Sequence, residues 1–300
     1  VARTRRLASY GVLAVLTVTT AAAIGLLALR VPHWQSSIAS MKDPKDRITL
    51  ENEVFKNIIQ LLGGAFFLFG LYFTWRNLRI SQEGQITQRF NDAIEHLGSE
   101  KAEIRLGGIY ALARIARDSP KDHMSVMHVF CSYLRESTKR SPAEPAALEV
   151  QAILTMIGRR TVEHENEEDT LDLRDIYVPG VDLRGAQLER VRLDGANLSR
   201  ASLANALLRG ASLRAAVLED ADLRGADLRE ADLTGTDLRQ ATLRTAWLDG
   251  ANLFAARLDG TTLLRTDLSG VKNAVRGQIA AAITDESTIQ PVYADFAIQD

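Results

Sequence analysis

Leucine stands at every fifth position from 183 to 268, and Leu173 and Val178 carry the series back to its start. Two residues before these positions the side chain is small and most often alanine, as at Ala186, Ala196, Ala201, Ala206, Ala211, Ala216, Ala221, Ala226 and Ala231. The stretch 171–268 reads A-(D/N)-L-x-x twenty times without a phase slip. On an α-helix, five residues turn through about 500°, so each leucine would move about 140° around the axis and no apolar stripe would form. On a flat strand, an odd step sends successive leucines to opposite faces. A chain that bends once per repeat satisfies the period, because every leucine then points to one side. Bending always in the same sense closes the chain into coils that stack as a solenoid. The residue two before each leucine shares its inward face. Alanine there fits an interior too narrow for two large side chains per bend.

The A-(D/N)-L-x-x run resembles the pentapeptide-repeat proteins, bacterial proteins whose repeats form a right-handed quadrilateral parallel β-helix. The resemblance implies four pentapeptides per coil and a β-solenoid of about five coils over residues 171–272. At roughly 4.8 Å per stacked layer, such a rod is about 24 Å long.

Upstream, the sequence changes character twice. Residues 7–29, LASYGVLAVLTVTTAAAIGLLAL, hold no charge and follow the basic start VARTRR. Their length suffices to span a bilayer. A cleaved signal peptide is the rival reading, with the Ala21-Ala22-Ala23 run as its processing site. Residues 57–75, NIIQLLGGAFFLFGLYFTW, form a second uncharged run with Tyr72 and Trp75 at its end, where interfacial aromatics belong. Together they read as a two-span transmembrane α-hairpin within residues 1–79, its loop running from 30 to 56. Arg3, Arg5 and Arg6 before the first span and Arg76, Arg79 and Arg89 after the second stand against Arg30, Lys42, Lys45, Arg47 and Lys56 in the loop, and this slight excess favours both termini in the cytoplasm, at the cell membrane. One cysteine, Cys131, excludes an internal disulfide and fits a reducing compartment.

Residues 80–160 read as an α-helical juxtamembrane domain. Leu78, Ile86, Phe90, Ile94 and Leu97 share a helical face, as do Ile104, Leu106, Ile109, Leu112, Ile115 and Ala116. A third helix starts at Ser119-Pro120 with Met124, Met127, Val129, Phe130 and Leu134. A fourth covers 146–159 with Leu148, Ile153, Leu154 and Ile157. The run GSEKAEIRLGGIYALARIARDSPKDH resembles the helical segment before the repeats of membrane-anchored bacterial pentapeptide-repeat proteins. The acidic EHENEED marks residues 161–170 as a solvated linker, and His164 within it as a solvated side chain. Past the repeats, 274–283 reads as a short helix that caps the open end of the solenoid, and the tail from 285 as irregular.

Catalytic motifs are missing from the sequence: it has no P-loop lysine motif, no G-x-G-x-x-G after a strand and no H-E-x-x-H. His128 and Cys131 are three apart on a helix and read as a surface histidine beside a packed thiol. The aspartates at 172, 182, 222, 227, 232 and 237 occupy the repeat's consensus site and read as backbone partners rather than acid–base pairs. No catalytic, cofactor-binding or metal-binding residue is assigned, and no cofactor is expected.

Outward positions carry what remains. Residues twenty apart stack in the four-sided geometry, so Arg224 and Arg244 share a column with Arg184, and Leu207 shares one with Trp247. Phe254 and Leu264 also face outward, and with Trp247 they are expected to form an exposed aromatic cluster near the C-terminal coils. These six are the candidate partner-binding residues. The formal net charge of the chain is −2, and 171–268 holds 15 acidic and 13 basic residues. Such a surface excludes a general polyanion binder, and a nucleic acid is not an expected partner. It also disfavours the DNA-mimicking, topoisomerase-binding role found among proteins of the resembled family, which requires a strongly negative face. The preferred reading is a membrane-anchored, non-enzymatic scaffold. It holds its rod at the cytoplasmic face for a protein partner, with the lipid bilayer contacted through two spans. Oligomerisation through the hairpin is a variant of it, and an enzyme with a site in the helical domain is the minor alternative.

Overall fold

The computed structural model describes residues 36, 40, 43–139, 148–166 and 168–292. The first apolar run, 7–29, lies outside them, as does the tail from 293. Two compact units divide the chain, Val1–Gln85 and Ile86–Asp300.

Helix α1 runs from Pro44 to Leu97. It starts at a proline, whose missing N–H costs nothing in a first turn, and the Lys45 amide donates to Asp43 Oδ1 at 2.9 Å. The loop expected to reach residue 56 therefore ends by 43, because Asp43-Pro44 is a strong helix start. Within the first unit α1 presents an apolar surface with nothing packed on it among the described residues: Phe66 is 77% exposed and Phe67 67%. Its most apolar 18-residue window has mean hydropathy 1.6, long and apolar enough to cross a membrane.

In the second unit, the end of α1 meets α2 (Ala102–Asp118), α3 (His123–Ser137) and α4 (Leu148–Gly158). The contact between α1 and α2 is close enough to require glycine. A Cβ on Gly108 would lie 2.7 Å from the Ala93 carbonyl oxygen. Ile109, Leu112, Phe130, Leu134, Ile153 and Ile157 are fully buried, so the helical faces read from spacing do face inward. Leu78, Ile104 and Leu148 are the exceptions, at 59%, 39% and 68% exposed. Glu149 is buried on the same helix and is held by Arg105, which also donates to the carbonyls of Ser99 and Glu100.

The repeats build a four-cornered coil. Asp172 bridges Arg192, Tyr177 bridges Asn197, Asp182 bridges Ser202 and Gln187 bridges Leu207. The same parallel step of twenty continues to Lys272 on one side and Asp267 on another. Pairing on each side is a single isolated bridge, so the expected solenoid of extended strands is not present among the described residues. The period explains this, since turns consume most of each pentapeptide. The Ala186 amide donates to the Leu183 carbonyl at 3.1 Å across Arg184-Gly185, where Gly185 has φ 64°, and later repeats bend alike. That third turn position holds left-handed backbone even in non-glycine residues, including the β-branched Thr245 at φ 58°.

Every ladder leucine is buried, as are the alanines two before them. Where threonine replaces alanine, its hydroxyl donates to a leucine carbonyl one coil back: Thr236 to Leu213 and Thr261 to Leu238, both at 2.7 Å. A buried hydroxyl without such a partner costs roughly 1–3 kcal/mol, so the inner position accepts threonine only with this bond.

Both open ends of the coil are closed. At the first coil, the Tyr177 amide donates to Thr138 Oγ1, the Asp182 amide to Gln151 Oε1 and the Gln187 amide to the Gly158 carbonyl. At the far end, α5 (Arg276–Ala280) buries Ile279, and Gln278 Nε2 donates to the carbonyls of Leu253 and Ala256. The tail expected to be irregular from 285 instead continues the coil. Ile283 bridges Thr262, Ile289 bridges Asp267, and the Thr288 hydroxyl donates to the Leu263 carbonyl. A step of 21 and then 22 residues accommodates the extra length of the α5 segment.

Residues 162–164 form one 3-10 turn, and the stretch read as a solvated linker is partly buried. Arg160 Nε donates to Glu165 Oε1 at 2.6 Å, and the His123 ring lies 3.4 Å from that same oxygen. Burial would raise the Glu165 pKa, but His123 and Arg160 outweigh it and hold the carboxyl below its ordinary value. His164, expected in solvent, packs edge-on against His123 with ring centroids 5.4 Å apart.

Candidate functional site

Asp-Leu-Arg recurs around the coil and has one geometry. In Asp227-Leu228-Arg229 the arginine amide donates to Asp227 Oδ1, Nε to the same oxygen at 2.8 Å and Nη2 to Oδ2 at 2.5 Å. Asp172 with Arg174, Asp182 with Arg184, Asp222 with Arg224 and Asp237 with Arg239 repeat it. The carboxylate satisfies a turn amide and receives a guanidinium fork, so each of these aspartates serves as a backbone partner and is neutralised where it stands. The Arg174 bond, helped by Arg135 and opposed by burial, lowers the Asp172 pKa to about 2.

The structure separates the six candidate residues. Leu207 and Trp247 stand on one side of the coil, with Asp227 bridged between them. Arg224, Arg244 and Leu264 form one corner column, linked by the Gly225 amide to the Arg244 carbonyl and the Thr245 amide to the Leu264 carbonyl. The chain passes from that corner directly onto the Trp247 side. Phe254 lies one side further on, its amide donating to Asn252 Oδ1, and no ring contact joins it to Trp247 among the described residues. A single aromatic cluster therefore does not form. Trp247 and Phe254 are each 57% exposed, while Leu264 is half-buried.

Two of the arginines differ in their freedom. Arg224 is held on Asp222 at 2.7 Å. Arg244 follows Thr242 in place of aspartate, is exposed, and has no carboxylate within 4 Å among the described residues. Beside Trp247 lies a recess of about 420 Å³, lined among others by Arg229, Thr245, Arg265 and Asp267. The Arg229 guanidinium sits 4.9 Å from the Trp247 ring centroid. Sequence reasoning paired Arg229 with Asp227 but placed neither it nor Arg265 among the candidates. The twenty-residue register was the signal, since it stacks 227 under 247 and carries Arg229 with it.

Cys131 is buried, and desolvation pushes its thiol up to about 12, while His128 points to solvent. The pair is a packed thiol beside a surface histidine, and at neutral pH the sulfur is no nucleophile.

A coil of this kind, with leucine and a small residue inside every bend, defines a repeat protein whose useful surface is its outward columns. The family description "Pentapeptide repeats" matches residues 179–214 and 206–244, with eight copies. A pentapeptide repeat protein from the Arabidopsis thaliana thylakoid lumen is 31% identical over 34% of this chain and 70% of its own length, with a TM-score of 0.33. A second pentapeptide repeat protein, from Nostoc PCC 7120, is 34% identical over 35% of this chain and 84% of its own, with a TM-score of 0.21. HetL from Nostoc sp. strain PCC 7120, described as involved in heterocyst differentiation regulation, is 38% identical over 33% of this chain and 46% of its own, with a TM-score of 0.24. The assignment rests on identity across the repeats. The chain belongs to the pentapeptide-repeat proteins. No curated protein matches it.

Proposed function

We propose that this protein is a membrane-anchored, non-enzymatic scaffold that docks a protein partner on its right-handed pentapeptide coil. The observation that carries the reading is the exposed, rigidly backed Trp247. It stands on a bridged side of the coil three residues on from Arg244, which has no carboxylate within 4 Å among the described residues, and exposed aromatics and arginines are the side chains that anchor interfaces. A DNA-mimicking role draws no support from this surface, because five aspartates of the coil are each neutralised by the arginine two residues on.

The anchoring half of the reading rests on α1. Its exposed Phe66, Phe67 and Phe73 would be costly in water, and a bilayer would cover them. With the apolar run at 7–29 it would make the two-span hairpin that keeps both termini in the cytoplasm.

Photo-crosslinking from position 247 in the full-length protein tests the docking half. A discrete crosslinked protein, lost when Arg244 is replaced by glutamate, supports it, and identical products from a probe at position 200 would refute it. A reporter fused after Asp300 tests the anchoring half. Membrane-fraction activity confined to the cytoplasmic side is expected, and a soluble or exterior reporter would overturn it.

A further inference from the structure

The helical layer holds a cleft of about 450 Å³ that the scaffold role leaves without a use. Its wall is basic. Arg114 and Arg117 come from α2, and Arg159 and Arg160 follow α4 directly. No aspartate or glutamate lines it. Tyr110 stands three or four residues from Ala113 and Arg114 and seven from Arg117, so one face of α2 supplies that side of the cleft. Met127 and Met156 lie deeper, with His123 buried beside them.

The charge is under-compensated. Arg114 and Arg117 share a single carboxylate, Asp118, each at 3.5 Å. Arg159 is exposed and has no carboxylate within 4 Å among the described residues. Arg160 is buried and fixed by Glu165 and by the carbonyls of Ile157 and Gln187. Guanidinium groups gathered around one cleft repel each other, and an anion placed among them removes that cost. Their planar donor forks suit phosphate oxygens, which accept in pairs. The size falls within the roughly 300–1,000 Å³ of small-molecule sites. Thioethers and a 57% exposed tyrosine ring offer an adaptable apolar surface for a planar or aliphatic group.

We infer that this cleft binds a phosphorylated ligand of about mononucleotide size. Its phosphoryl oxygens sit among Arg114, Arg117 and Arg159, and its organic part lies on Tyr110, Met127 and Met156. A free nucleotide-like metabolite and a phospholipid headgroup share this chemistry. The inference stands apart from the coil and from the partner proposed for it.

The test uses the full-length chain in neutral detergent, titrated calorimetrically with ADP, with inorganic pyrophosphate and with short-chain phosphatidylglycerol. At least one probe should bind at one per chain in the micromolar range and weaken as salt is raised. Because Arg117 and Arg159 are exposed, the double variant Arg117→Ala/Arg159→Ala should keep its melting temperature and lose binding tenfold or more. Arg159→Lys should retain most of it, and Arg200→Ala on the coil should retain all. Binding of ADP without phosphatidylglycerol identifies a soluble ligand, and the reverse identifies a headgroup. Failure of all three probes to bind below millimolar concentration overturns the inference, as does binding that survives the double variant. Neither failure touches the docking result at position 247.

Discussion

The guanidinium carbon of Arg229 lies 4.9 Å from the ring centroid of Trp247, while the same side chain grips Asp227 on the coil beneath. One arginine thus steadies an exposed indole through its face and is itself held by a carboxylate fork. A cation over an exposed indole is worth about 0.5–1 kcal/mol. The larger consequence is order, because a tryptophan fixed before it meets a partner loses less freedom on binding.

Replacing Trp247 by alanine should therefore cost partner capture while sparing the fold. The ring is 57% exposed, so the melting temperature should move by no more than a degree or two. Asp227→Asn should weaken capture less, by freeing Arg229 without removing the indole. Thermal melts paired with crosslinking yields check both expectations, and a melt that collapses in Trp247→Ala would make the ring structural.

The Gln151 side chain stands in for a missing neighbouring coil. It accepts from the Asp182 amide at 3.0 Å and donates to the Asp182 carbonyl at 2.9 Å. Gln151→Ala should destabilise by about 0.5–1.5 kcal/mol. Gln151→Glu should cost more, since it sets a carboxylate against a carbonyl and near Asp182. Urea denaturation of the two variants ranks them, and an equal or reversed order would contradict the pairing.

Acid should loosen the coil in a defined window. Asp172 titrates at about 2 when folded, below its ordinary 3.8, and Asp182, Asp222, Asp227 and Asp237 are lowered as well by their arginines. A depressed folded pKa contributes stability that is complete above about pH 5, clear of the unfolded value, and is lost as pH falls through the folded value. The melting temperature should hold from neutrality to about pH 5 and then fall toward pH 2. Arg174→Ala should flatten the Asp172 share of that fall, visible as a shallower slope of melting temperature against pH.

The narrow interior makes the two inward positions unequal to mutation. Ala226 and Leu228 are both fully buried in one repeat. Leu228→Ala should lose about 2–5 kcal/mol by leaving a cavity. Ala226→Leu adds three heavy atoms where stacked coils leave no room, and should cost at least about 1–3 kcal/mol. Soluble yield and the denaturant midpoint report both, and a tolerated Ala226→Leu would mean that the coils can part.

The Cys131 sulfur should resist a thiol reagent in the native protein. Its thiol is buried and pushed up to about 12, so the thiolate that reacts is scarce at pH 8. Labelling should proceed only as fast as the helical layer opens and become immediate in denaturant.

Much of this was legible in the chain itself. The unbroken period of five dictates one bend per repeat, and with it which leucines and alanines are buried. The Asp-Leu-Arg pairs follow from residues two apart on one bend, and the helical faces from Ile109 to Ile157 follow from their spacing. These features depend on neighbours a few residues away, and local geometry fixes them. Tertiary structure alone decided the rest. It set Arg229 against Trp247, moved Phe254 to a separate side, seated Gln151 on Asp182 and drew Glu165 to Arg160 and His123. It also brought four arginines from two separate segments around one cleft and returned Ile289 to the coil after α5. Each of these joins depends on the packing of helices on a coil end, or on how many residues a loop adds before pairing resumes. A repeating pattern carries no record of either.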